Sequence, residues 1–218
     1  MMTAYNELYL DDAMENLGDM IDYAVYVLKF DVDEFFYFFI ASGLAYQFEK
    51  GNPKYIAGMS GYELADKVIE TVNVKPKNAD KNNISDEVRV DRSKEYWAGW
   101  VLAYYQWKTN KKFEDIIKDG LTLSTIISMY ILHEADVSKF VESANEIISR
   151  NKAVRKTKLK EIREARGFTQ KQLSDVSGIK LRTIQLYEQR ENDINKAGVN
   201  IVSSLAQALG CDIEDLLE

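Results

Sequence analysis

The chain has 218 residues, 46% hydrophobic and 29% charged, with a net charge of -7, values that exclude a disordered chain. The length allows one large domain or two small ones, and the usual domain size favours two. No apolar stretch approaches the roughly 20 residues needed to cross a bilayer, the start lacks the basic-then-apolar layout of a signal peptide, and the single cysteine, Cys211, has no internal disulfide partner, so a cytoplasmic location with no membrane contact is expected.

In chain order, Leu10, Met14, Leu17, Ile21, Ala24 and Leu28 recur at alternating steps of four and three, which puts them on one stripe of a long amphipathic helix. The spacing also suits a coiled-coil seam, but three heptads is a minimum, and a helix within a bundle is the reading adopted. The next stretch, DVDEFFYFFIASGLAYQFEKG, reads as one helix. Asp31 or Asp33 is placed to cap it, phenylalanines lie on both sides of its axis, and Gly51 with Asn52-Pro53 closes it. A helix apolar almost all round is buried in a domain or against a partner.

Ser60 with Glu63 three residues later has the spacing of a capping box, and Leu64, Val68 and Ile69 continue an apolar face. Gly58 and Gly61 resemble a fragment of a phosphate loop, but no strand precedes them and no Lys-Ser/Thr pair follows, so they read as a turn into the capped helix. Residues 74–92 are polar, hold Pro76 and show no apolar period; they read as a loop inside the front domain or a linker between its halves.

SKEYWAGWVLAYYQWKTNKK sets Trp97, Trp100, Val101, Tyr104 and Trp107 at helical spacing, the pattern of an aromatic core helix or of a groove wall for a ligand or partner. LSTIISMYILHEADVSKFVESANEII reads as two helices meeting near Ala135-Asp136, the second carrying Phe140, Val141, Ala144, Ile147 and Ile148. With no strand pattern in residues 1–150, the front domain is expected to be all α, a helical bundle.

His133 is the only histidine, which rules against a His-based metal site, a Ser-His-Asp triad or a Cys-His pair within one chain. Beside Glu134 at a helix boundary it reads as a capping or surface residue. Asp11-Asp12 and Asp31/Asp33/Glu34 lack a second group at catalytic spacing and read as helix-start charges. Cys211 reads as a small buried hydrophobe. No enzymatic activity, metal or cofactor is expected.

The composition changes near residue 150. Residues 1–150 carry 16 Lys/Arg against 25 Asp/Glu, or -9, and residues 151–218 carry 12 against 10, or +2. Within residues 152–190 the balance is 11 against 4, or +7, and of 25 aromatic residues only Phe168 and Tyr187 lie beyond residue 150. A basic segment attached to an acidic body is the footprint of a chain that meets nucleic acid with one part only. Three segments are therefore expected: a partner-binding or sensing domain at 1–150, a basic linker at 151–156 and a DNA-binding domain at 157–218.

In TKLKEIREARGFTQKQLSDVSGIKLRTIQLYEQR, Leu159, Ile162 and Ala165 line one helix that Gly167 stops. Thr169 caps a second, carrying Leu173 and Val176, which Gly178 ends; Ile179 plugs the gap, and a third carries Ile184 and Tyr187 inward. Two short helices joined by a tight glycine turn form a helix-turn-helix. The segment resembles the Cro/repressor-like, or Xre, family over about residues 157–218, through VSSLAQALGCDIEDLLE, which is similar to the family's closing helices, for a five-helix domain in all.

The resemblance implies that the third helix enters the major groove with Leu181, Arg182 and Gln185 outward, where Arg pairs with guanine and Gln with adenine. It gives Gln170 a phosphate contact and the bracing of the reading helix, adds Lys171, and turns Lys180, Thr183 and Arg190 toward phosphates. Arg163 and Glu188 resemble a pair tying the first helix to the end of the third. Four positions depart from the family pattern. Lys180 replaces a small capping residue, Arg190 replaces a frequent glycine, and Leu181 and Leu186 are apolar where base readers are often polar. These leucines fit thymine methyls or a shift toward protein contact.

The front string FFIASGLAYQFEKGNPKYIAGMSGYEL, with KEYWAGWVLAYYQW and LHEAD, resembles the leading domain of Xre-type proteins encoded beside toxin genes. That resemblance implies an antitoxin and autorepressor, bacterial, with an ADP-ribosyltransferase-like toxin as partner. A homodimer on an inverted repeat in its own promoter is expected, because one small helix-turn-helix covers too few bases. The other reading is a repressor that senses a small ligand in a pocket lined by Trp97, Trp100 and Trp107.

Overall fold

The computed structural model describes residues 3–76 and 92–218. Contacts divide the chain into two compact units, Met1–Ile148 and Ser149–Glu218. Among the described residues every regular element is helical, and the chain is all α.

The first unit is built on two helices, α1 (Leu10–Tyr26) and a later partner, α6 (Lys94–Thr109), packed along each other. The stripe read from the sequence is the reason: Leu10, Met14, Leu17, Ile21, Ala24 and Leu28 are all buried. The helices approach closely because Gly99 has no side chain; a Cβ there would lie 2.5 Å from the Leu17 carbonyl oxygen.

Between them in sequence come α2 (Val32–Ala41), α3 (Leu44–Glu49), α4 (Pro53–Ile56) and α5 (Gly61–Val72). Asp31 caps α2, accepting from the amides of Asp33 and Glu34. The single helix expected over this stretch is two, α2 and α3. Gly43 adopts φ 75°, a left-handed conformation that costs glycine little and breaks the helix. The bend lets Phe36, Phe39 and Phe48 meet Phe113 in one aromatic core. The capping box at Ser60 is present in both directions.

Most of the polar stretch 74–92 lies outside the described residues, which resume at Arg92. After α6 follow α7 (Phe113–Lys118), α8 (Leu123–Ser128), a 3-10 turn (Tyr130–Glu134) and α9 (Val137–Val154). Buried Glu49 accepts the Phe113 amide at 2.9 Å, standing in for the missing side-chain cap of α7, and burial raises its carboxyl above the ordinary value. The junction near Ala135-Asp136 falls where the pattern put it, although the segment before it is a short helix and a 3-10 turn. Phe140, Val141, Ala144 and Ile148 of α9 are buried, and Ile147 is half-buried.

In the second unit, residues 151–154, part of the expected linker, form the last turn of α9. Then come α10 (Lys158–Ala165), α11 (Gln170–Ser177), α12 (Leu181–Glu188), a 3-10 turn (Ile194–Lys196), α13 (Val199–Leu209) and α14 (Ile213–Leu216). Leu159, Leu173, Ile184, Tyr187, Val202, Leu205, Leu209 and Leu216 form their core. Two inward assignments are corrected: Val176 is 61% exposed and Ala165 is exposed, since each lies a residue's rotation beyond the stripe that fits so short a helix. Cys211 is half-buried against this core, and burial raises its thiol pKa.

Candidate nucleic-acid interface

The turn between α11 and α12 is three residues, Gly178 to Lys180. Gly178 takes φ 71°, which a side chain would strain. Two serines that the sequence pattern did not single out hold it: Ser174 Oγ donates to the Ile179 carbonyl at 2.7 Å, and Ser177 Oγ accepts from the Ile179 amide at 3.3 Å. Their signal was available, since short hydroxyl side chains before a glycine are suited to bond the turn's backbone. Thr169 caps α11 in a capping box with Gln172, whereas Lys180 at the start of α12 gives no side-chain cap.

A buried polar brace joins α10 to the start of α11 and the end of α12. Arg163 of α10 donates to Glu188 of α12 through Nε at 2.5 Å and Nη2 at 2.9 Å, and the side chains are 8% and 2% exposed. Its Nη1 donates to the Phe168 carbonyl at 2.7 Å, and Gln170 Nε2 donates to Glu188 Oε2 at 2.8 Å. One carboxylate thus accepts from the first and second helices and fixes the end of the third. Charge-assisted, bidentate bonds are the stronger kind, and they hold the Arg163 guanidinium further above its usual pKa.

With Ile184 and Tyr187 anchored in the core, α12 turns its other side outward. Leu181 and Arg182 are exposed, Thr183, Gln185 and Leu186 are half-exposed, and Lys171 and Lys180 lie open to solvent. Arg182 makes a 3.5 Å pair with Glu191, both side chains more than half exposed, so it is held weakly.

Arg190 has another occupation than the outward one expected of it. Its guanidinium donates to the Arg155 carbonyl at 2.6 Å and to Glu218 Oε2 at 2.8 Å. Its backbone sits at φ 57°, the left-handed conformation that makes glycine frequent at such positions.

The family model described as helix-turn-helix matches residues 159–216. The C-terminal domain is an Xre/Cro-like helix-turn-helix. No curated protein and no solved structure matches the chain. The helix-turn-helix domain makes the chain a DNA-binding transcriptional regulator. No helix among the described residues is long and apolar enough to cross a membrane, and no group of three His, Cys, Asp or Glu among them could hold a metal ion.

The first unit has a groove of its own, about 720 Å³, lined by Arg92, Trp97, Trp100, Tyr130, His133 and Phe140 among others. Trp107, expected in the same wall, is elsewhere. It lies 9% exposed near the end of α6, and its indole N–H donates to the Tyr5 carbonyl at 2.9 Å. His133 stacks on Tyr130 at 4.3 Å, with Nδ1 2.8 Å from the Tyr130 carbonyl oxygen.

Proposed function

We propose that this regulator is an antitoxin-type autorepressor: it binds an inverted repeat in its own promoter as a homodimer, and its acidic first unit binds a protein partner, a toxin of ADP-ribosyltransferase-like type. The observation that carries the DNA half is α12, braced from within by Arg163, Glu188 and Gln170 while Leu181, Arg182 and Gln185 face outward. On this reading Arg182 and Gln185 supply base contacts, and Gln170, Lys171, Lys180 and Thr183 set register on phosphates. Arg190 acts from within the domain. The partner half is supported by the -9 charge of residues 1–150 and by Tyr37, Tyr46 and Tyr62, each at least half exposed on that unit. The reading assigns the chain no catalytic step.

The test is a footprint of the full chain on the DNA upstream of its own gene, with Arg182→Ala and Gln185→Ala beside it. Protection of an inverted repeat, lost in both variants, is the expected result. Unchanged affinity in both variants sinks the assignment of α12 as the reading helix.

The groove beside Trp97 and Trp100 favours a second reading, a repressor sensitive to a small molecule. Purification from the native host separates the two: a stoichiometric protein partner supports the antitoxin, and a low-mass compound that raises the melting temperature supports the sensor.

A further inference from the structure

Leu181 is the first residue of α12 and is 36% exposed, while Ile184 and Tyr187 of the same helix fill the core. Its chain neighbours are cations. Lys180 makes no side-chain cap, and Arg182 has only the loose contact with Glu191. An apolar protein surface brought against this leucine would strip water from both cations without replacing it, at a cost. A DNA major groove supplies what both kinds of group need: phosphates flank it, and one apolar group, the methyl on C5 of a pyrimidine, projects into it.

Resting on the DNA-binding reading above, we infer that Leu181 recognises a pyrimidine 5-methyl group in the major groove, carried by thymine or by 5-methylcytosine. Gln185 stands one turn further along the same side of α12, at the i+4 position. The methyl and an adenine edge are therefore read together, and Arg182 reaches a separate base.

The test uses the full chain and a duplex selected from a random-sequence library. The selected site is resynthesised with deoxyuridine replacing thymidine at one position at a time, and affinities are measured at constant salt. At one position in each half-site, loss of the methyl weakens binding about fourfold, the worth of one buried methyl. Leu181→Ala and Leu181→Gln bind both duplexes alike at that position, while Leu186→Ala keeps the preference. Circular dichroism of the Leu181 variants stays unchanged, because the side chain lies outside the core.

Placing deoxycytidine or 5-methyldeoxycytidine at the sensitive position separates the two sources. A methyl preference there as well assigns recognition to the methyl itself, and a preference confined to thymidine assigns it to thymine. The inference is overturned if no position is methyl-sensitive, or if the sensitive one stays so in Leu181→Ala. Failure to enrich any sequence removes the DNA-binding reading itself, a result distinct from either.

Discussion

Glu188→Ala tests the buried brace most directly. The substitution leaves the Arg163 guanidinium in a site where its side chain is 8% exposed, with the acceptors of Nε and Nη2 gone. Breaking a buried pair by removing one partner costs about 3–5 kcal/mol. Two features favour the lower end: Nη1 keeps the Phe168 carbonyl, and Glu164 Oε1 already lies 3.6 Å from Nη2. The loss expected is about 3 kcal/mol, to which the freed Gln170 amide adds about 1 kcal/mol. Residues 149–218 form a unit of 70 residues, whose whole stability at typical values is roughly 4–10 kcal/mol, so this is a large share.

Urea unfolding of the full chain with two probes reads it out. Trp97, Trp100 and Trp107 all lie in the first unit, so indole fluorescence follows that unit, whereas far-ultraviolet circular dichroism follows both. Glu188→Ala is expected to move the transition seen only by dichroism and leave the indole transition in place. Glu188→Gln, which keeps one acceptor, falls between. A shift below about 1 kcal/mol for Glu188→Ala would refute the argument that an orphaned buried cation sets the loss.

Three further outcomes are expected. Arg190→Ala should lower the stability of the second unit by about 1–2 kcal/mol through its lost bonds to Glu218 and the Arg155 carbonyl, yet leave the salt slope of DNA binding unchanged; a slope smaller by about 1 would show a phosphate contact instead. Gly99→Ala brings a Cβ to 2.5 Å from the Leu17 carbonyl and should lower the indole-reported melting transition by about 1–3 kcal/mol, checked by thermal denaturation. Glu49 has its carboxyl raised by burial, so its contribution to stability is full below the ordinary value of 4.5 and is lost as pH rises through the raised value. Glu49→Gln, which keeps an acceptor for the Phe113 amide, should flatten that part of the stability profile and raise the melting temperature at pH 7; an unchanged profile would show that Glu49 is not its source.

Periodicity exposed the elements whose burial depends on one face. The α1 stripe and the capping box at Ser60 follow from local spacing, and the helix-turn-helix follows from glycines and the Thr169 cap at fixed intervals. The break at Ser42-Gly43 was hidden because the phenylalanines on either side keep an apolar pattern through it, and only packing against Phe113 requires the bend. Val176 and Ala165 deceived for a related reason: in an eight-residue helix few positions define the inward face, so one extra apolar residue is taken for part of it. Trp107 and Arg190 were illegible in another way. Each meets backbone carbonyls distant in sequence, at Tyr5 and Arg155, and a carbonyl carries no side-chain signal.

On the proposed mode of DNA binding, the brace also governs what the DNA backbone would meet at Gln170. Glu188 is an anion beneath Gln170, whose amide has one N–H committed to that carboxylate and a second left to offer a phosphate. Without compensation, the carboxylate would repel the phosphate proposed to meet that amide; the bidentate guanidinium of Arg163 offsets that charge a hydrogen bond away. Loss of either member therefore destabilises the fold, but the two losses part company on DNA. If Gln170 meets a phosphate as proposed, Arg163 variants would leave a bare anion beside it, and Glu188 variants a bare cation.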